Sequence, residues 1–507
     1  MSEAADTTLL RFTAEDLELF RTASHDHNPL HSSDVYARRT PFGTPVVFGV
    51  LAAIACLGRL RPRRGQTLST IGLDFRAPIF PGVDYSVEAR EPSRDRAELS
   101  LLDGRQILLR AVVTLQDGVA EPPPDNPGPA WANHLEPVDR QPAEFAPGLQ
   151  ATGTYTPDWS LARGLMERFH LRENGVGALQ VAALLWSSYM VGMELPGRTA
   201  LFARLSLRFQ PSGAPVGGPL TYVARVRTID RRSLLVTADV QLAVSETPWA
   251  VGEASALVRQ DVPGPSLAAI EALLPRSEAL QGKVGLIIGA SRGLGAALSQ
   301  AFASQGCTVM ASYYKTAAEA ERLRQSCAAT PGAIELVRGD AADLEWCEEV
   351  RDRVKREHGH LDFLICNAAP ALLPMRLHAR TVGRVNDYVY QSLGLVSVPL
   401  AVFMPLVSQQ GGWLVTISSS VIAAPPADWP HYVSAKYAIE GMTRATAADQ
   451  RAASFLIVRP PRLLTDLVNT PIGREGAIPP ERVAAQIVRH LFGPAAPGRV
   501  QVLEDFA

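Results

Sequence analysis

The sequence feature that most constrains the fold is an apolar run that ends in a glycine-rich turn. Residues 286–288 are apolar, glycines follow at positions 289, 293 and 295, and apolar residues then recur at helical spacing as far as position 302. This order predicts a buried strand, a tight turn and a helix. Glycines let the backbone turn sharply and let a pyrophosphate approach the unpaired N–H groups at a helix start. The pattern therefore predicts a nucleotide site, although its spacing differs from the general G-x-G-x-x-G fingerprint.

Further polar residues follow the glycine turn in a fixed order. Asn367 and Ser419 each come shortly after an apolar, strand-like run. Tyr432 and Lys436 stand four residues apart, and Ser419 precedes Tyr432 by thirteen residues. In this order and at these distances, the elements resemble the short-chain dehydrogenase/reductase family over residues 280–507. The resemblance implies an α/β Rossmann-type fold with a doubly wound parallel sheet.

The resemblance implies that Ser419, Tyr432 and Lys436 form a catalytic set. A free phenol titrates near pH 10, and an ammonium one helical turn away lowers that pKa. We therefore expect Tyr432 to give a proton to a carbonyl oxygen as hydride arrives, Ser419 to hold that oxygen, and Lys436 also to bind the nicotinamide ribose. Two positions depart from the family: Ser392 stands in place of the usual Asn of the proton relay, and Pro461 in place of a Gly.

The resemblance also implies a set of cofactor-binding residues. They are Gly289, Ser291, Arg292, Gly293, Leu294, Gly295, Lys315, Asp340, Asn367, Tyr432 and Lys436. An NAD site places an acid at the end of the second strand, but residues 313–315 are Tyr-Tyr-Lys. Arg292 and Lys315 would hold a 2′-phosphate, which favours NADPH, and Asp340 is expected at the adenine. Lys315 is equally explained as a solvated charge at a helix start, so Arg292 carries more of this argument.

Stretches rich in proline and glycine divide the chain. They open the segments 121–150 and 262–280. Proline removes backbone donors and stiffens connectors, so these segments are expected to be linkers. Three blocks result, covering residues 1–120, 151–262 and 280–507.

The first two blocks share one plan. Each has one apolar helix, at 46–60 or 177–193, and then a similar segment leading to Pro and Gly, at 73–82 or 207–218. Strand-like runs cover residues 85–90, 98–102 and 107–115 in the first block and 220–226, 233–243 and 250–259 in the second. One helix with several alternating strands predicts an α+β unit, an antiparallel sheet wrapped on a helix, and two such units could pair their sheets side by side. The alternative is a coincidental likeness between two α+β domains.

The first block carries a second motif. Residues 26–31 read Asp-His-Asn-Pro-Leu-His, and Phe-Gly-Thr-Pro follows at 42–45, just before the apolar helix. This pattern resembles the MaoC-like (R)-specific enoyl hydratases of the hotdog fold, over about residues 10–120. With the repeated second block, the resemblance implies an α+β double hotdog in front of the reductase-like block.

This resemblance implies Asp26 and His31 as an acid/base pair, and Gly49 as the donor of an N–H to the thioester oxygen. Hydration of an enoyl thioester needs one proton moved at C2 and a water handled at C3, which two such groups can divide. An N–H at a helix start stabilises the enolate-like oxygen. Phe48 stands where the family often has His, which should alter the polarity of the pocket. The alternative is that Asp26 caps the turn and His31 is a surface residue.

The second block has no Asp–His pair of this kind. In two-part hydratases of this type one half is catalytic and the other shapes the acyl tunnel, and the resemblance suggests the latter role here. Its apolar helix is also explained by packing on its own sheet. His170 and Glu173 are candidates on a loop, but a lone histidine is more often structural.

Composition and charge exclude several classes. Charged residues make up 20% of the chain with a formal net charge of −2, so neither nucleic acid nor an anionic membrane is an expected partner. The five cysteines are scattered without metal-site spacing, which predicts reduced thiols and no metal. Apolar stretches such as 393–407 are interrupted by Gly and Pro, and the polar N-terminus shows no signal peptide, so a cytoplasmic protein is expected. A homo-oligomer is expected from the resemblance alone.

The two resemblances name consecutive reactions. A ketoreductase makes a 3-hydroxyacyl thioester, and a hydratase interconverts that product with the 2-enoyl thioester. The sequence therefore predicts a bifunctional enzyme acting on acyl-CoA or acyl carrier protein thioesters with NADPH. Two alternatives stay open: the hotdog part is a non-catalytic acyl-binding module beside one active reductase, or the whole chain is a non-catalytic nucleotide-binding scaffold.

Overall fold

The structure is a computed structural model that describes residues 9–62, 65–210, 216, 218–260 and 262–506. The expectation about the polar N-terminus at 1–8 lies outside these residues, as do Pro211 and Gly217 of the second repeat segment. The chain divides into two compact units, one covering Met1–Gln260 with Thr470–Ile472 and the other Asp261–Asn469 with Gly473–Ala507.

The strands described in the first unit form one ten-stranded antiparallel sheet. They are β1 (Leu9–Arg11), β2 (Gln66–Phe75), β3 (Asp84–Ser93), β4 (Arg96–Asp103), β5 (Gln106–Asp117), β6 (Gln150–Tyr155), β7 (Ala200–Phe209), β8 (Leu220–Asp230), β9 (Leu235–Val244) and β10 (Thr247–Val258). Their order in the sheet is β1-β3-β4-β5-β2-β7-β10-β9-β8-β6. The first five belong to the first sequence repeat and the last five to the second, so the halves meet edge to edge.

Each half wraps its strands around one buried helix. The helices are α1 (Ala14–Ser24), α2 (Asp34–Ala37), α3 (Gly49–Leu57), α4 (Trp159–Arg168) and α5 (Ala178–Tyr189), which continues as a π-helical turn, Met190–Glu194. Every residue of α3 after Gly49 is buried, and so is every residue of α5. A helix that is apolar on all sides must be covered on all sides, which the wrapped sheet achieves. The first helix starts at Gly49, later than the predicted residue 46.

The seam between the halves is an antiparallel pair formed by β2 and β7. Ile71 lies opposite Leu207, and the Arg204 guanidinium is 3.2 Å from the Asp74 carboxylate across the pair. The side chains of both halves join one continuous apolar core. The predicted side-by-side pairing of two hotdog units is therefore confirmed.

The strands described in the second unit form a seven-stranded parallel sheet. They are β11 (Val284–Ile288), β12 (Thr308–Tyr313), β13 (Ala333–Arg338), β14 (Phe363–Cys366), β15 (Trp413–Ile417), β16 (Ser454–Val458) and β17 (Val500–Leu503). The order is β13-β12-β11-β14-β15-β16-β17, which reverses direction between β11 and β14. Ligands of such sheets bind in the crevice at the carboxyl ends of the strands, beside that reversal.

Helices cover both faces of the parallel sheet. They are α6 (Leu267–Leu273), α7 (Gly293–Ser304), α8 (Ala317–Ser326), α9 (Leu344–Glu357), α10 (Val382–Gln409), α11 (Pro430–Asp449), α12 (Pro471–Arg474) and α13 (Pro480–Leu491). Helices α6, α7, α8 and α13 share a core on one face, and α9, α10 and α11 share a core on the other. Successive residues of β11 serve opposite faces, since Ile287 joins the first core and Leu286 the second. The predicted doubly wound Rossmann-type fold is confirmed.

Two features differ from the sequence-based expectations. The segment 262–280, expected to be a linker, contains α6, whose Ile270 is fully buried in the second unit. Pro399 and Pro405 do not interrupt their apolar stretch, because α10 continues through both. By length and composition alone this helix is able to cross a membrane, a test that core helices also pass, and half of its most apolar window is buried.

Candidate functional site

The glycine turn after β11 forms an open backbone cradle. Gly289 has φ of +80°, and a Cβ there would lie 2.9 Å from the Ala368 Cα. A Cβ at Gly295 would lie 2.0 Å from the Gly289 carbonyl oxygen. Helix α7 begins at Gly293, so its first N–H groups face this turn. A cradle that only glycine leaves open, at a helix start, fits the diphosphate of a dinucleotide.

Asn367 braces that cradle from the neighbouring strand. It follows β14, and its Nδ2 donates to the Gly289 carbonyl oxygen at 2.8 Å. Because β11 and β14 flank the reversal of strand order, this bond spans the crevice where a dinucleotide lies in such sheets. Asn367 thus holds the turn in shape, which is a positioning contribution to the predicted cofactor site.

The two cations expected at a 2′-phosphate lie at the same end of the sheet. Arg292 precedes α7, and its Nη1 is 3.6 Å from the Asp466 carboxylate. Lys315 follows β12, is exposed, and its Nζ lies 5.1 Å from the Tyr314 ring centroid. The structure therefore places both positive charges beside the glycine turn and the second strand, with one acidic neighbour at Arg292.

The remaining predicted cofactor residues lie around the same turn. The Ser291 hydroxyl is 2.6 Å from the Thr316 hydroxyl, which ties the turn to the start of α8. Leu294 is buried in the first turn of α7. Asp340 follows β13 and accepts a hydrogen bond from the Ala342 N–H at 2.9 Å. These positions agree with a binding site that runs along the carboxyl ends of the strands.

Ser419, Tyr432 and Lys436 converge at the end of β15. Ser419 lies just beyond this strand, and the other two side chains share one face of α11. The Lys436 Nζ lies 5.4 Å from the Tyr432 ring centroid and donates to the Ile417 carbonyl oxygen at 2.8 Å. The Ser419 hydroxyl is near enough to the Tyr432 hydroxyl to lower the pKa of that phenol. The structure therefore brings the three predicted catalytic residues together.

The proton affinities of this set differ from the sequence-based expectation. Burial raises the pKa of Tyr432, and the neighbouring Ser419 hydroxyl only partly offsets that rise. The predicted lowering of this pKa by Lys436 is therefore wrong for the protein alone, because desolvation of the phenolate outweighs other effects. Burial also lowers the pKa of Lys436 to about 8, so its ammonium form is itself only marginally favoured near neutral pH.

Two residues near this set were not predicted. Tyr388 on α10 lies beside the Ser392 hydroxyl, and its ring packs edge-on against His431 with centroids 4.6 Å apart. His431 is fully buried, and burial lowers its pKa to about 4, so it is neutral. Ser392, which stands in place of the family Asn, thus lies beside the Tyr388 hydroxyl. Only its position directly before Tyr432 marks His431 in the sequence.

The hotdog unit holds a separate polar site around Asp26. Asp26 is 2% exposed, and its carboxylate accepts hydrogen bonds from the Ser188 hydroxyl at 2.7 Å and the Asn28 N–H at 3.1 Å. Ser188 lies on α5, in the half that lacks an Asp–His pair. On the same helical segment, a Cβ at Gly192 would lie 2.5 Å from the Asp26 carboxylate. Both halves therefore build this site.

His31 lies on the same loop as Asp26. Its Nδ1 is 2.8 Å from the Val46 carbonyl oxygen, which makes Nδ1 the protonated nitrogen of the neutral ring and leaves Nε2 as an acceptor. The ring stacks on Phe48, with centroids 3.9 Å apart. Gly49 comes next, opens α3, and has no room for a side chain because a Cβ would lie 2.8 Å from the Phe75 ring. The predicted oxyanion donor therefore sits at a helix start beside His31.

The environments of Asp26 and His31 reverse the usual order of their pKa values. Burial raises the pKa of Asp26 to about 7, against the lowering effect of its hydrogen bonds from Ser188 and Asn28. Burial lowers the pKa of His31 to about 4, and the nearby Arg259 charge adds to this, while the Val46 carbonyl opposes it. Between these values the carboxyl is protonated and the imidazole is neutral. Such a separation of pKa values assigns one acid and one base.

Ser188 is the functional residue that motif reading missed here. Its signal in the sequence is a pair of serines inside an otherwise apolar helix. The loop candidates His170 and Glu173 are both exposed, in the turns that follow α4. Within the described residues, one group has the spacing of a metal site, Glu335, Glu357 and His358, but Arg353 already bonds to both carboxylates.

These observations define two classes of protein in one chain. A parallel sheet with a glycine cradle at its reversal point and a Ser–Tyr–Lys set defines an oxidoreductase that uses a nicotinamide dinucleotide. A double hotdog with an Asp–His loop defines a dehydratase-type unit. The chain belongs to the short chain dehydrogenase family, whose pattern matches residues 283–472, and residues 3–99 match the MaoC like domain. Both family resemblances drawn from the motifs are confirmed.

Individual relatives match parts of the chain. The chain is 32% identical over 235 residues to the cyclic-di-GMP-binding biofilm dispersal mediator protein of Escherichia coli, covering 43% of this chain and 92% of that protein. It is 28% identical over 173 residues to the 3-oxoacyl-[acyl-carrier-protein] reductase of Thermotoga maritima, covering 34% and 69%. It is 38% identical over 95 residues to the 3-hydroxybutyryl-CoA dehydratase of Methylorubrum extorquens, covering 17% of this chain and 60% of that protein.

Proposed function

We propose that the chain is a bifunctional enzyme that reduces 3-oxoacyl thioesters with NADPH and dehydrates the 3-hydroxyacyl products to 2-enoyl thioesters. The observation that carries this proposal is the presence of two complete polar sets, Ser419–Tyr432–Lys436 and Asp26–His31, whose reactions are chemically consecutive. The similarity of one unit to a 3-oxoacyl reductase and of the other to a 3-hydroxybutyryl-CoA dehydratase supports it. A cytoplasmic location and a homo-oligomer remain our expectations.

In the reduction, the chain's own residues handle the substrate oxygen. A bound NADPH supplies the hydride. The Tyr432 hydroxyl donates its proton to the substrate carbonyl oxygen, and the Ser419 hydroxyl holds that oxygen in place. Lys436 lies against the same phenol and, as an ammonium, stabilises the phenolate left after the proton has gone. The Lys436 charge therefore matters most at the moment when Tyr432 is deprotonated.

In the dehydration, the two pKa values divide the work. Neutral His31 takes the C2 proton of the 3-hydroxyacyl thioester, and protonated Asp26 gives a proton to the hydroxyl that leaves C3. The Gly49 N–H, at the start of α3, holds the thioester oxygen as negative charge develops on it. This assignment is supported by the pKa of about 7 at Asp26 and about 4 at His31.

A preference for NADPH rests on charge near the glycine turn. The second strand, β12, ends at Tyr313 and is followed by Tyr314 and Lys315, with no carboxylate to bind ribose hydroxyls. The Arg292 guanidinium is exposed beside the turn, within reach of a 2′-phosphate. Asp466, 3.6 Å from Arg292, would be replaced by that phosphate as the partner of the cation.

The decisive experiment separates the two reactions in the full chain. The protein is incubated with NADPH and acetoacetyl-CoA, or its acyl carrier protein form, and the products are resolved by mass spectrometry. We expect 3-hydroxybutyryl and crotonyl thioesters. Tyr432→Phe should abolish NADPH oxidation, and Asp26→Asn should stop the reaction at the 3-hydroxyacyl product. A 3-hydroxyacyl product without crotonyl thioester from the unaltered protein would support a non-catalytic hotdog module, and NADPH binding without turnover of any thioester would support a scaffold. Crotonyl-thioester formation that persists in Asp26→Asn would contradict the role given to Asp26.

A further inference from the structure

Glu440 is a buried carboxylate that neither proposed reaction uses. It lies on α11, one helical turn after Lys436, and is 4% exposed. It accepts a hydrogen bond from the Ser418 hydroxyl at 2.7 Å, and the Nε and Nη2 atoms of Arg459 donate to its two oxygens, both at 2.8 Å. A buried charge with such a bidentate partner is held in one geometry.

These bonds connect the three elements that present the reductase set. Glu440 belongs to the helix of Tyr432 and Lys436, Ser418 directly precedes Ser419 at the end of β15, and Arg459 follows β16. The Lys436 ammonium is bonded to the same strand end, through the Ile417 carbonyl. A loss of the Glu440 carboxylate would therefore loosen the strand end that carries Ser419 against the helix that carries the phenol.

Glu440 also acts on Lys436 through charge. Burial lowers the pKa of Lys436 to about 8, and the Glu440 charge is what opposes this lowering. Burial would raise the pKa of Glu440 itself, but the bonds from Arg459 and Ser418 together lower it, so it is a carboxylate at neutral pH. The balance between Glu440 and Arg459 thus bears on the protonation of Lys436.

The charged and titratable groups around Lys436 come from several elements. In the part of the chain that the structure describes they are Tyr432, Glu440 and Arg444 on α11, Tyr388 on α10, Arg459 after β16 and Glu504 after β17. Arg444 and Glu504 are at the surface, with side chains 46% and 62% exposed, so water screens them. Glu440 is buried, so its charge reaches Lys436 with little screening, and Arg459, with a side chain 25% exposed, is its bidentate partner.

We propose that Glu440 is a positioning residue of the reductase site: its carboxylate fixes the Ser419 strand end against α11 and favours the ammonium form of Lys436, while Arg459 tunes that effect in the opposite sense. This inference rests on the proposed reductase function. It assigns a role to a residue one helical turn beyond the Tyr–Lys pair on α11. The carboxylate acts through Lys436 and Ser419 and touches no reacting atom.

The chain contains only four lysines, which makes a direct test practical. They are Lys283, Lys315, Lys355 and Lys436. The full-length protein is produced with lysine labelled at Cε, the four resonances are followed by NMR from pH 6 to 11, and Lys436→Met assigns the buried one. Glu440→Gln, which keeps volume and a hydrogen-bond acceptor, should lower the Lys436 midpoint by about one pH unit. Arg459→Met should raise it, because a cation is removed.

Glu504→Gln is the matched control. It removes the exposed carboxylate that bonds to the same Arg459, at 3.0 Å, and leaves the bonds between Glu440 and Arg459 in place. We expect its Lys436 midpoint to equal that of the unaltered protein. A shift in Glu504→Gln as large as that in Glu440→Gln would overturn the assignment, since it would show a general effect of surface charge.

Steady-state reduction supplies the second readout. The alkaline limb of the kcat–pH profile should move down in Glu440→Gln and up in Arg459→Met, with less effect on KM. Opposite movements are not expected of a merely structural pair, where both variants would lower kcat at every pH. If Lys436 titrates alike in all folded variants, the inference is wrong. If the unaltered protein reduces no thioester while its lysine midpoints still shift as expected, the proposed function fails and the coupling between Glu440 and Lys436 stands.

Discussion

At the scale of single residues, the hydroxyl of Ser188 has an effect that no motif assigns to it. It donates to the buried Asp26 carboxylate at 2.7 Å, from a helix of the half without its own acid/base pair. Burial alone favours the neutral carboxyl, and a hydrogen bond to the charged form favours ionisation. Ser188 thus limits how far the pKa of Asp26 rises, which sets the pH at which Asp26 stops being an acid.

Removal of the Ser188 hydroxyl should move the pH profile of dehydration. The Asp26 pKa, about 7 in the intact site, is raised by burial and lowered by this bond, so Ser188→Ala raises it further. A hydrogen bond to a charged group contributes roughly 1.5–3 kcal/mol, which corresponds to about one to two pH units. Dehydration requires protonated Asp26, so its alkaline limb should move upward. Ser187→Ala, whose hydroxyl bonds to the Leu184 carbonyl, is the control and should leave the limb in place. A downward movement in Ser188→Ala would contradict this.

The Arg292 guanidinium should discriminate between the two nicotinamide dinucleotides. A charge-assisted bond to a 2′-phosphate contributes roughly 1.5–3 kcal/mol, so Arg292→Ala should weaken NADPH binding at least about tenfold. NADH lacks that phosphate, and its Kd should change less than about twofold by the same reasoning. Calorimetry on the intact protein gives both constants. Lys315→Ala serves as a comparison, with a smaller expected loss because an ammonium does not form the bidentate bonds of a guanidinium. An equal weakening of both dinucleotides in Arg292→Ala would rule out this role.

At the scale of elements, the helical segment after α5 approaches the catalytic loop more closely than a side chain allows. Gly192 lies in the π-helical turn, and its carbonyl oxygen accepts a bond from the Asn28 amide at 2.8 Å. Asn28 in turn holds Asp26 through its own N–H. The second half therefore positions this loop through two of its side chains, the Asn28 amide and the Asp26 carboxylate.

Substitution of Gly192 by alanine should damage dehydration alone. The added Cβ would lie 2.5 Å from the Asp26 carboxylate, so the carboxylate or the helical turn must shift. Overpacking of this kind costs about 1–3 kcal/mol. We expect at least a tenfold loss in the rate of dehydration, with unchanged reduction of the 3-oxoacyl thioester. Gly164→Ala is the control, because a Cβ there meets no atom within 4 Å. Wild-type dehydration in Gly192→Ala would show that the carboxylate is free to move aside.

The parts of this architecture that could be predicted are those written in consecutive residues. Three features can be recognised from a few consecutive residues, because local backbone geometry requires those residue types. They are the glycine turn, the Tyr432–Lys436 spacing and the Asp26–His31 loop. Ser188 meets Asp26 across 162 positions, and no local pattern encodes that contact. Helix α6 was missed because the prolines before it indicated a linker, whereas burial of Ile270 stabilises the helix.

The pKa of Tyr432 was also beyond the reach of the sequence. The spacing to Lys436 predicts a stabilised phenolate, but the sign of the shift depends on how much water the fold removes from the ring. That quantity follows from packing by α10 and by the strand ends, which the spacing does not describe. The catalytic set could thus be named from the sequence, while its protonation could not.

At the scale of the whole molecule, the chain holds two sets of reactive groups, one in each of two compact units. The effects of substitutions at sites that share no partners usually add, so we expect substitutions in one set to leave the chemistry of the other unchanged. Asp26→Asn should leave the rate of NADPH oxidation within about twofold, and Tyr432→Phe should leave crotonyl-thioester hydration within about twofold, on that additivity. Both rates are measured on the intact chain. A tenfold cross-effect in either variant would show that the two sites are coupled.

The seam at β2 and β7 has a consequence for how such a chain changes over generations. A lone half would expose one unpaired strand edge and would have to find a companion by collision. Because both halves are in one chain, each first half always has one second half to pair with. The two halves therefore need not have the same sequence. The first carries Asp26 and His31, and the second contributes the Ser188 hydroxyl to the same site.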